Sequence, residues 1–231
     1  MVNLIDLNIF ANSCKANPED SFALLCRTLH SWCNAFGYNK INTIRVFVDD
    51  HPFIESYPEY IKLLKGLMNQ YDKPYSIIKT TGFSDGYVQS TNLSETDYIF
   101  QLEHDWRFNN ELITHSLEEI IEGMKSGSVE HLRFNKRPNE DRPRAKEILT
   151  PMVFNNVPIC VTKQYRSNNP HIINRESYVS HWNNYINLKP VHPPSNPRSG
   201  GVEQRLWKVG GAIYGPLGLP PTIEHLEGRI K

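Results

Sequence analysis

The first half of the chain switches repeatedly between two hydrophobic periods, and that switching predicts the fold class. Leu4 to Ala11 is a short apolar-rich run of the kind that forms a buried strand. Asn17-Pro18-Glu19-Asp20 has the make-up of a helix start: an Asn cap, a Pro in the first turn, and acids at the positive end of the dipole. Phe22, Leu25, Leu29, Trp32, Cys33 and Phe36 follow at helical spacing, and Gly37 closes the element. Thr43 to Val48 predicts a second strand running straight into Asp49-Asp50. Ser56 with Glu59 forms a capping box for a helix reaching Gln70. Tyr75 to Lys79 reads as a third strand, with a helix near Gly86 to Leu93. Tyr98 to Leu102 reads as a fourth strand, ending on Glu103-His104-Asp105-Trp106. A last helix is expected from Asn109 or Asn110 to Lys125, stopped by Ser126-Gly127.

A strand–helix unit repeated in this way predicts an α/β fold with a mostly parallel sheet covered on both faces. In open sheets of that kind ligands bind beyond the carboxyl ends of the strands. Asp49-Asp50 and Glu103-His104-Asp105 both fall at such ends. After Gly127 the helical period fades. His131 to Lys136 and Ile159 to Lys163 read as strands among dense prolines, and Gly200, Gly201, Gly210, Gly211, Gly215 and Gly218 crowd the end. The expectation for this half is irregular strands and long loops laid over the sheet edge, where binding residues concentrate.

Composition changes this picture only by exclusion. The chain of 231 residues suits one large domain, and 25 basic residues balance 25 acidic ones, which removes the general nucleic-acid binder. No apolar run approaches the ~18 residues of a membrane span. The opening Met-Val-Asn-Leu-Ile-Asp lacks a basic leader region, so the expected location is the cytoplasm. Cys14, Cys26, Cys33 and Cys160 form no C-x-x-C pair and read as small hydrophobes.

The sharpest chemical motif is Glu103-x-Asp105. Carboxylates at i and i+2 of a strand share one face, and paired oxygen ligands suit a hard divalent cation such as Mn²⁺ or Mg²⁺. Such a cation neutralises charge on a departing diphosphate. The mixed-sign run Arg133, Lys136, Arg137, Arg142, Arg144, Lys146 with Glu140, Asp141 and Glu147 reads as a solvated surface loop, with an anion-lining role as its competitor. Trp182, Trp207 and Tyr214 read as core aromatics rather than a sugar-stacking platform.

Asp97-Tyr-Ile-Phe-Gln-Leu-Glu-His-Asp-Trp106 resembles the D-x-D strand of GT-A-fold glycosyltransferases. Val46-Phe-Val-Asp-Asp50 is similar to the family's second strand, whose terminal aspartate contacts the nucleobase. Gly86 to Asn92 stands where these enzymes start a donor-binding helix. Asn168-Asn-Pro-His-Ile-Ile-Asn-Arg175 looks like the acceptor-side segment of small viral and bacterial members. Gly201-Val-Glu203-Gln-Arg-Leu-Trp207 looks like a G-x-E segment, and Ile223-Glu-His-Leu-Glu-Gly-Arg229 resembles a C-terminal H-x-x-G-R whose histidine completes the metal site.

The resemblance implies a single domain over 1–231, with 1–127 binding the nucleotide-sugar and 128–231 binding the acceptor and carrying catalysis. It implies Asp105, Glu103 and His225 as metal ligands, and Asp49, Asp50, Gly86 and His104 as further donor contacts. Asn169, His171, Arg175 and Trp207 fall to the acceptor, and Glu203 to the general base of an inverting transfer. The implied partners are a UDP- or GDP-sugar and a glycan or glycoprotein acceptor, in a viral or microbial pathway. His104 departs from the family, where aspartate is usual, which puts the ribose contact in doubt. A sugar-1-phosphate nucleotidyltransferase should carry a glycine-rich loop after the first strand, where this chain has Asn12-Ser-Cys-Lys-Ala-Asn17. A non-catalytic carbohydrate-binding module would have no use for Glu103, Asp105 and His225 together.

Overall fold

The computed structural model describes residues 4–11, 18–49, 57–143, 147–163, 167, 169–186, 202 and 210–226. The first half folds as β1 (Ile5–Ala11), α1 (Pro18–Phe36), β2 (Ile41–Asp49), α2 (Tyr57–Met68), β3 (Tyr75–Thr80), α3 (Phe83–Leu93) and β4 (Tyr98–Glu103). A short strand β5 (Trp106–Phe108) and α4 (Leu117–Ser126) follow. The second half supplies β6 (His131–Arg133), β7 (Leu149–Phe154), β8 (Val157–Thr162), β9 (His171–Asn174), the helical turn α5 (Arg175–Ser177), β10 (Gly211–Tyr214) and β11 (Ile223–His225).

All seven residues of β1 are buried. Alternation sends Ile5, Leu7, Ile9 and Ala11 to one face, where they join Leu25, Leu29 and Trp32 of α1 and Leu64 and Met68 of α2. Phe10 points the other way, into a cluster with Phe47, Tyr87, Ile99, Ile173 and Tyr178 beneath α3. A strand covered on both faces reads as an unbroken apolar run, which is why β1 and β2 stand out in the sequence. Burying each Leu or Phe of these clusters contributes about 1.5–3 kcal/mol. The charged exception is Asp6, which is fully buried. It pairs with Arg45 at 2.9 Å and accepts from Asn42 Nδ2 at 2.9 Å and Glu95 N at 2.7 Å.

The strands form one mixed sheet in the order β3-β2-β1-β4-β9-β6-β10-β8-β7, and β5 pairs separately with β11. β3, β2, β1 and β4 are parallel, whereas β9 runs antiparallel between β4 and β6. Two expectations are corrected here. The second half is not laid over the sheet edge; five of its strands extend the sheet, β6 and β8 among them at the places expected. The fourth helix does not begin at Asn109 or Asn110. Ser116 caps it, accepting from Glu119 N while the Glu119 carboxylate accepts from Ser116 N, and residues 109–115 are not helical. Among the described residues no helix is long and apolar enough to cross a membrane.

Cys160 is buried, while Cys26 and Cys33 are partly buried and all three are free. Burial pushes the Cys33 and Cys160 thiols up to about 11, so both stay protonated at neutral pH. Cys14 lies outside the described residues.

Candidate active site

The carboxyl ends of β1, β2, β3 and β4 lie along one edge of the sheet. Phe10, near the end of β1, stacks on Phe47 at 5.5 Å and meets Phe83 at a tilt at 4.8 Å, forming an aromatic floor under the first turn of α3. Gly86 lies on that floor. A Cβ there would meet Thr80 at 3.4 Å and the Phe10 ring at 3.5 Å, ordinary contact distances, so α3 packs closely on the strands at this point. Asp85 is taken up locally, accepting from Thr81 N at 2.9 Å, Thr81 Oγ1 at 3.1 Å and Gln89 Nε2 at 2.9 Å. β2 ends on Asp49, opposite Thr80. Asp50, Glu203 and Trp207 lie outside the described residues, as does the Asp49 side chain.

β4 ends at Glu103, and His104-Asp105 is a turn rather than a continuation of the strand. The expected arrangement of two carboxylates on one strand face is therefore replaced by a strand end followed by a tight reversal into β5. His104 is used to anchor that reversal. Its N–H donates to Phe10 O at 3.0 Å, and its carbonyl accepts from Thr28 Oγ1 at 2.7 Å. The His104 side chain is buried, 6% exposed.

Asp105 is 6% exposed, and the chain's far end is brought to it by the pairing of β11 with β5. Leu226 N donates to Asp105 O at 2.7 Å, and His225 Nε2 lies 3.1 Å from Asp105 Oδ2. The His225 ring meets Trp106 edge-on at 4.7 Å, and an Arg107–Glu224 ion pair at 2.6 Å clamps the ribbon. The other Asp105 oxygen, Oδ1, is buried with no hydrogen-bond partner among the described residues. An orphaned buried carboxylate oxygen is costly, and it suits a cation that needs oxygen ligands. Asp105 and His225 thus fit a divalent metal as two of its ligands. Among the described residues no group of three His, Cys, Asp or Glu side chains is close enough to hold one unaided. Further ligands must come from the bound diphosphate, water or the remaining chain.

The expected acceptor residues separate. Asn169 is buried, donating from Nδ2 to Phe134 O at 3.4 Å, on the same edge as Asp105. His171 is 2% exposed and belongs to the core. Its Nδ1 donates to Asn169 O at 2.6 Å, Tyr87 OH lies 3.1 Å from its Nε2, and its ring stacks on His131 at 4.4 Å. His131 Nδ1 in turn lies 2.6 Å from Tyr178 OH. That polar string inside the core has no periodic signature, and each histidine taken singly looks like a surface residue. Arg175 follows Asn174, which pairs with Tyr98 at the start of β4. It therefore sits at the opposite edge of the sheet, about 17 Å from Glu103 at the strand rise per residue. There its Nε donates to Thr91 O at 3.1 Å, a structural contact.

The charged run divides: Lys136, Arg137, Glu140 and Asp141 are exposed, as read, Arg133 and Glu147 are buried, and Arg144 and Lys146 lie outside the described residues. Arg133 and Glu147 have side chains 3% and 1% exposed, and Glu147 bridges Arg133 and Arg142. With Lys136, Arg137, Asn139 and Asn169 they line a polar pocket beyond the end of β6. Mixed charge in the sequence suggested solvent; the central position of β6 in the sheet puts Arg133 inside. Tyr214 is a core residue, as read, and Trp182 is half-buried, donating to Glu130 Oε2 at 3.0 Å.

No protein-family model matches the chain, and no curated protein matches it in sequence. Solved structures do match in fold. TarS 1–349 of S. aureus in complex with UDP-GlcNAc aligns at TM-score 0.57 and 10% identity, over 98% of this chain and 62% of that one. A second structure of TarS 1–349 aligns at TM-score 0.51 and 12% identity, over 91% of this chain and 57% of that one. HddC from Yersinia pseudotuberculosis aligns at TM-score 0.52 and 8% identity, over 96% of this chain and 94% of that one. The chain has the mixed α/β fold of GT-A and nucleotidyltransferase structures, a large central sheet flanked by helices. It spans about three fifths of the TarS structures.

Proposed function

We propose that the protein is a metal-dependent glycosyltransferase that moves a sugar from a nucleoside diphosphate to a hydroxyl of a glycan or glycoprotein. The observation that carries this reading is Asp105. It is a buried carboxylate with one oxygen on His225 and the other unpartnered, placed beyond the carboxyl end of β4. An open oxygen on a buried carboxylate is what a cation ligand requires.

In this reading Asp105 and His225 hold Mn²⁺ or Mg²⁺, and Glu103 adds a ligand directly or through water. The bound cation neutralises charge gathering on the leaving diphosphate. Residues 1–127 hold the donor, with Asp49 or Asp50 fixing the base and Gly86 in the first turn of α3 a further donor contact. Residues 128–231 hold the acceptor. Asn169 positions it at the shared edge, and Glu203 takes the proton from the attacking hydroxyl, giving inversion. UDP is the first nucleotide to try, since a fold neighbour was crystallised with UDP-GlcNAc.

The test is a panel of UDP- and GDP-sugars with and without Mn²⁺, read by thermal shift and by nucleoside diphosphate release. Ligand at a hundred times its Kd stabilises by about 2.7 kcal/mol. One donor should stabilise the protein only with metal, be slowly hydrolysed, and lose both effects in Asp105→Ala. Binding of no nucleotide under any metal condition would refute the proposal.

A further inference from the structure

At the proposed metal site the charges do not balance. Asp105 and Glu103 together cancel a divalent cation, which leaves the diphosphate of a bound donor uncompensated. Transfer widens the deficit. The acceptor oxygen bonds to the anomeric carbon and its proton passes to the base. The carbon–oxygen bond to the diphosphate breaks, and its electron pair stays on the diphosphate oxygen as a further negative charge. A fixed cation aimed at that oxygen lowers the barrier.

Lys136 is placed to be that cation. It follows β6, and β6 and β4 both run antiparallel to β9, so the two strands deliver their next residues to one edge of the sheet. Lys136 Nζ stands 5.6 Å over the Trp106 ring, and the His225 ring meets the same indole edge-on at 4.7 Å. Trp106 thus carries the ammonium and the metal-site imidazole on one ring. Lys136 and His225 also line one groove of about 1090 Å³, so a single bound molecule can reach both.

The backbone that carries Lys136 is tied to the strand that carries His225. Asn135 is 4% exposed, and its carbonyl accepts from Thr222 N at 2.9 Å and Ile223 N at 3.2 Å. Its Nδ2 donates to Arg137 O at 2.8 Å and to Pro220 O at 3.0 Å, which closes the turn around Lys136. The charge is also uncommitted. Arg107, next along β5, is held by Glu224 at 2.6 Å, whereas Lys136 has no ion pair among the described residues. An ammonium on an exposed ring face is held weakly, and a phosphate oxygen binds it more strongly. We propose that Lys136 is a further catalytic residue. Its ammonium pairs with the phosphate that bears the sugar and holds the charge that gathers there as the sugar leaves. The assignment rests on the glycosyltransferase reading.

Calorimetric titration of the full chain with UDP and with UMP, each with Mn²⁺, tests it; GDP and GMP replace them if the protein takes guanine. UDP carries the phosphate that Lys136 would hold, and UMP lacks it. Lys136→Gln and Lys136→Met change an exposed side chain, and the second keeps an apolar stem on Trp106. Both should bind UDP about tenfold or more weakly than the parent, the scale of a charge-assisted hydrogen bond, with UMP altered by no more than about twofold. Turnover of the matching nucleotide-sugar at saturating donor should slow by about the same factor or more. Unchanged UDP affinity in both variants, or unchanged turnover, overturns the assignment. An equal loss for UDP and UMP also overturns it and makes Lys136 a support for Trp106. The parent protein separates the two claims. If it binds no nucleoside diphosphate with Mn²⁺, the glycosyltransferase reading falls and the role of Lys136 with it. If it binds UDP and both variants match it, Lys136 alone is removed.

Discussion

Replacing Glu147 by Gln removes one charge from a group of three without changing its shape. The carboxylate is enclosed, with a side chain 1% exposed, and it serves Arg133, 3% exposed, and Arg142, 32% exposed. In the variant, Arg133 keeps its charge in the wall of the pocket and loses its ion pair with Glu147. Breaking a buried ion pair from one side costs about 3–5 kcal/mol, most of it the penalty of the stranded charge. For a chain of 231 residues each kcal/mol moves the melting temperature by about 2–4 °C, so the midpoint should fall by about 6–20 °C. Urea unfolding gives the same quantity without adding salt, and a slope of about 3 kcal/mol/M puts the midpoint about 1–1.7 M lower. Arg142→Gln provides the scale. That guanidinium is reached by solvent, and its loss should cost about 1 kcal/mol or less. A Glu147→Gln variant within about 1 kcal/mol of the parent, or one less damaged than Arg142→Gln, would show that the triad is solvated and the reasoning wrong.

Glycines supply a paired test of packing. A Cβ on Gly127 would come within 2.6 Å of two Phe154 ring carbons, so Gly127→Ala should cost about 1–3 kcal/mol, whereas Gly66 in α2 faces open space and Gly66→Ala should gain up to about 1 kcal/mol; thermal melts of both decide it. Burial raises the Asp85 pKa, but hydrogen bonds from Gln89, Thr81 N and Thr81 Oγ1 outweigh it and leave the carboxyl below its usual value. Its stabilising effect is therefore complete above the unfolded value of about 3.9 and is lost as pH falls through the folded one. Asp85→Asn should melt below the parent at neutral pH, with the gap closing in acid; a gap that widens on acidification contradicts the assignment.

The parts of the fold visible in the sequence are those whose environment imposes a period. β1 and β2 are covered on both faces and read as unbroken apolar runs, and α1 shows its buried stripe from Leu25 to Phe36. β9, β10 and β11 span four, four and three residues and owe their form to their partners, so no window on the sequence contains them. The start of α4 is legible as Ser116-Leu-Glu-Glu119, a capping box, whereas Asn109-Asn110 are generic cap residues without the reciprocal acid. At the site, the closeness of His225 to Asp105 follows from the pairing of Ile223, Glu224 and His225 with β5. The residues alone do not announce it, and the expectation came from the resemblance of the tail. His171 shows the converse. The segment 168–175 looked like a binding loop, yet β9 runs through the middle of the sheet and carries His171 into the core and Arg175 to the far edge.

The central claim is that Asp105 and His225 hold a metal together with a nucleotide. Free Mn²⁺ measured by electron paramagnetic resonance, as protein is titrated with and without UDP, tests that claim at the atoms concerned. The account predicts that UDP and protein together sequester Mn²⁺ beyond what either does alone, and that Asp105→Ala abolishes the effect. His225→Ala should weaken it by about tenfold or more, the loss of one ligand. Identical Mn²⁺ retention by the parent and Asp105→Ala, in the presence of UDP, would contradict it.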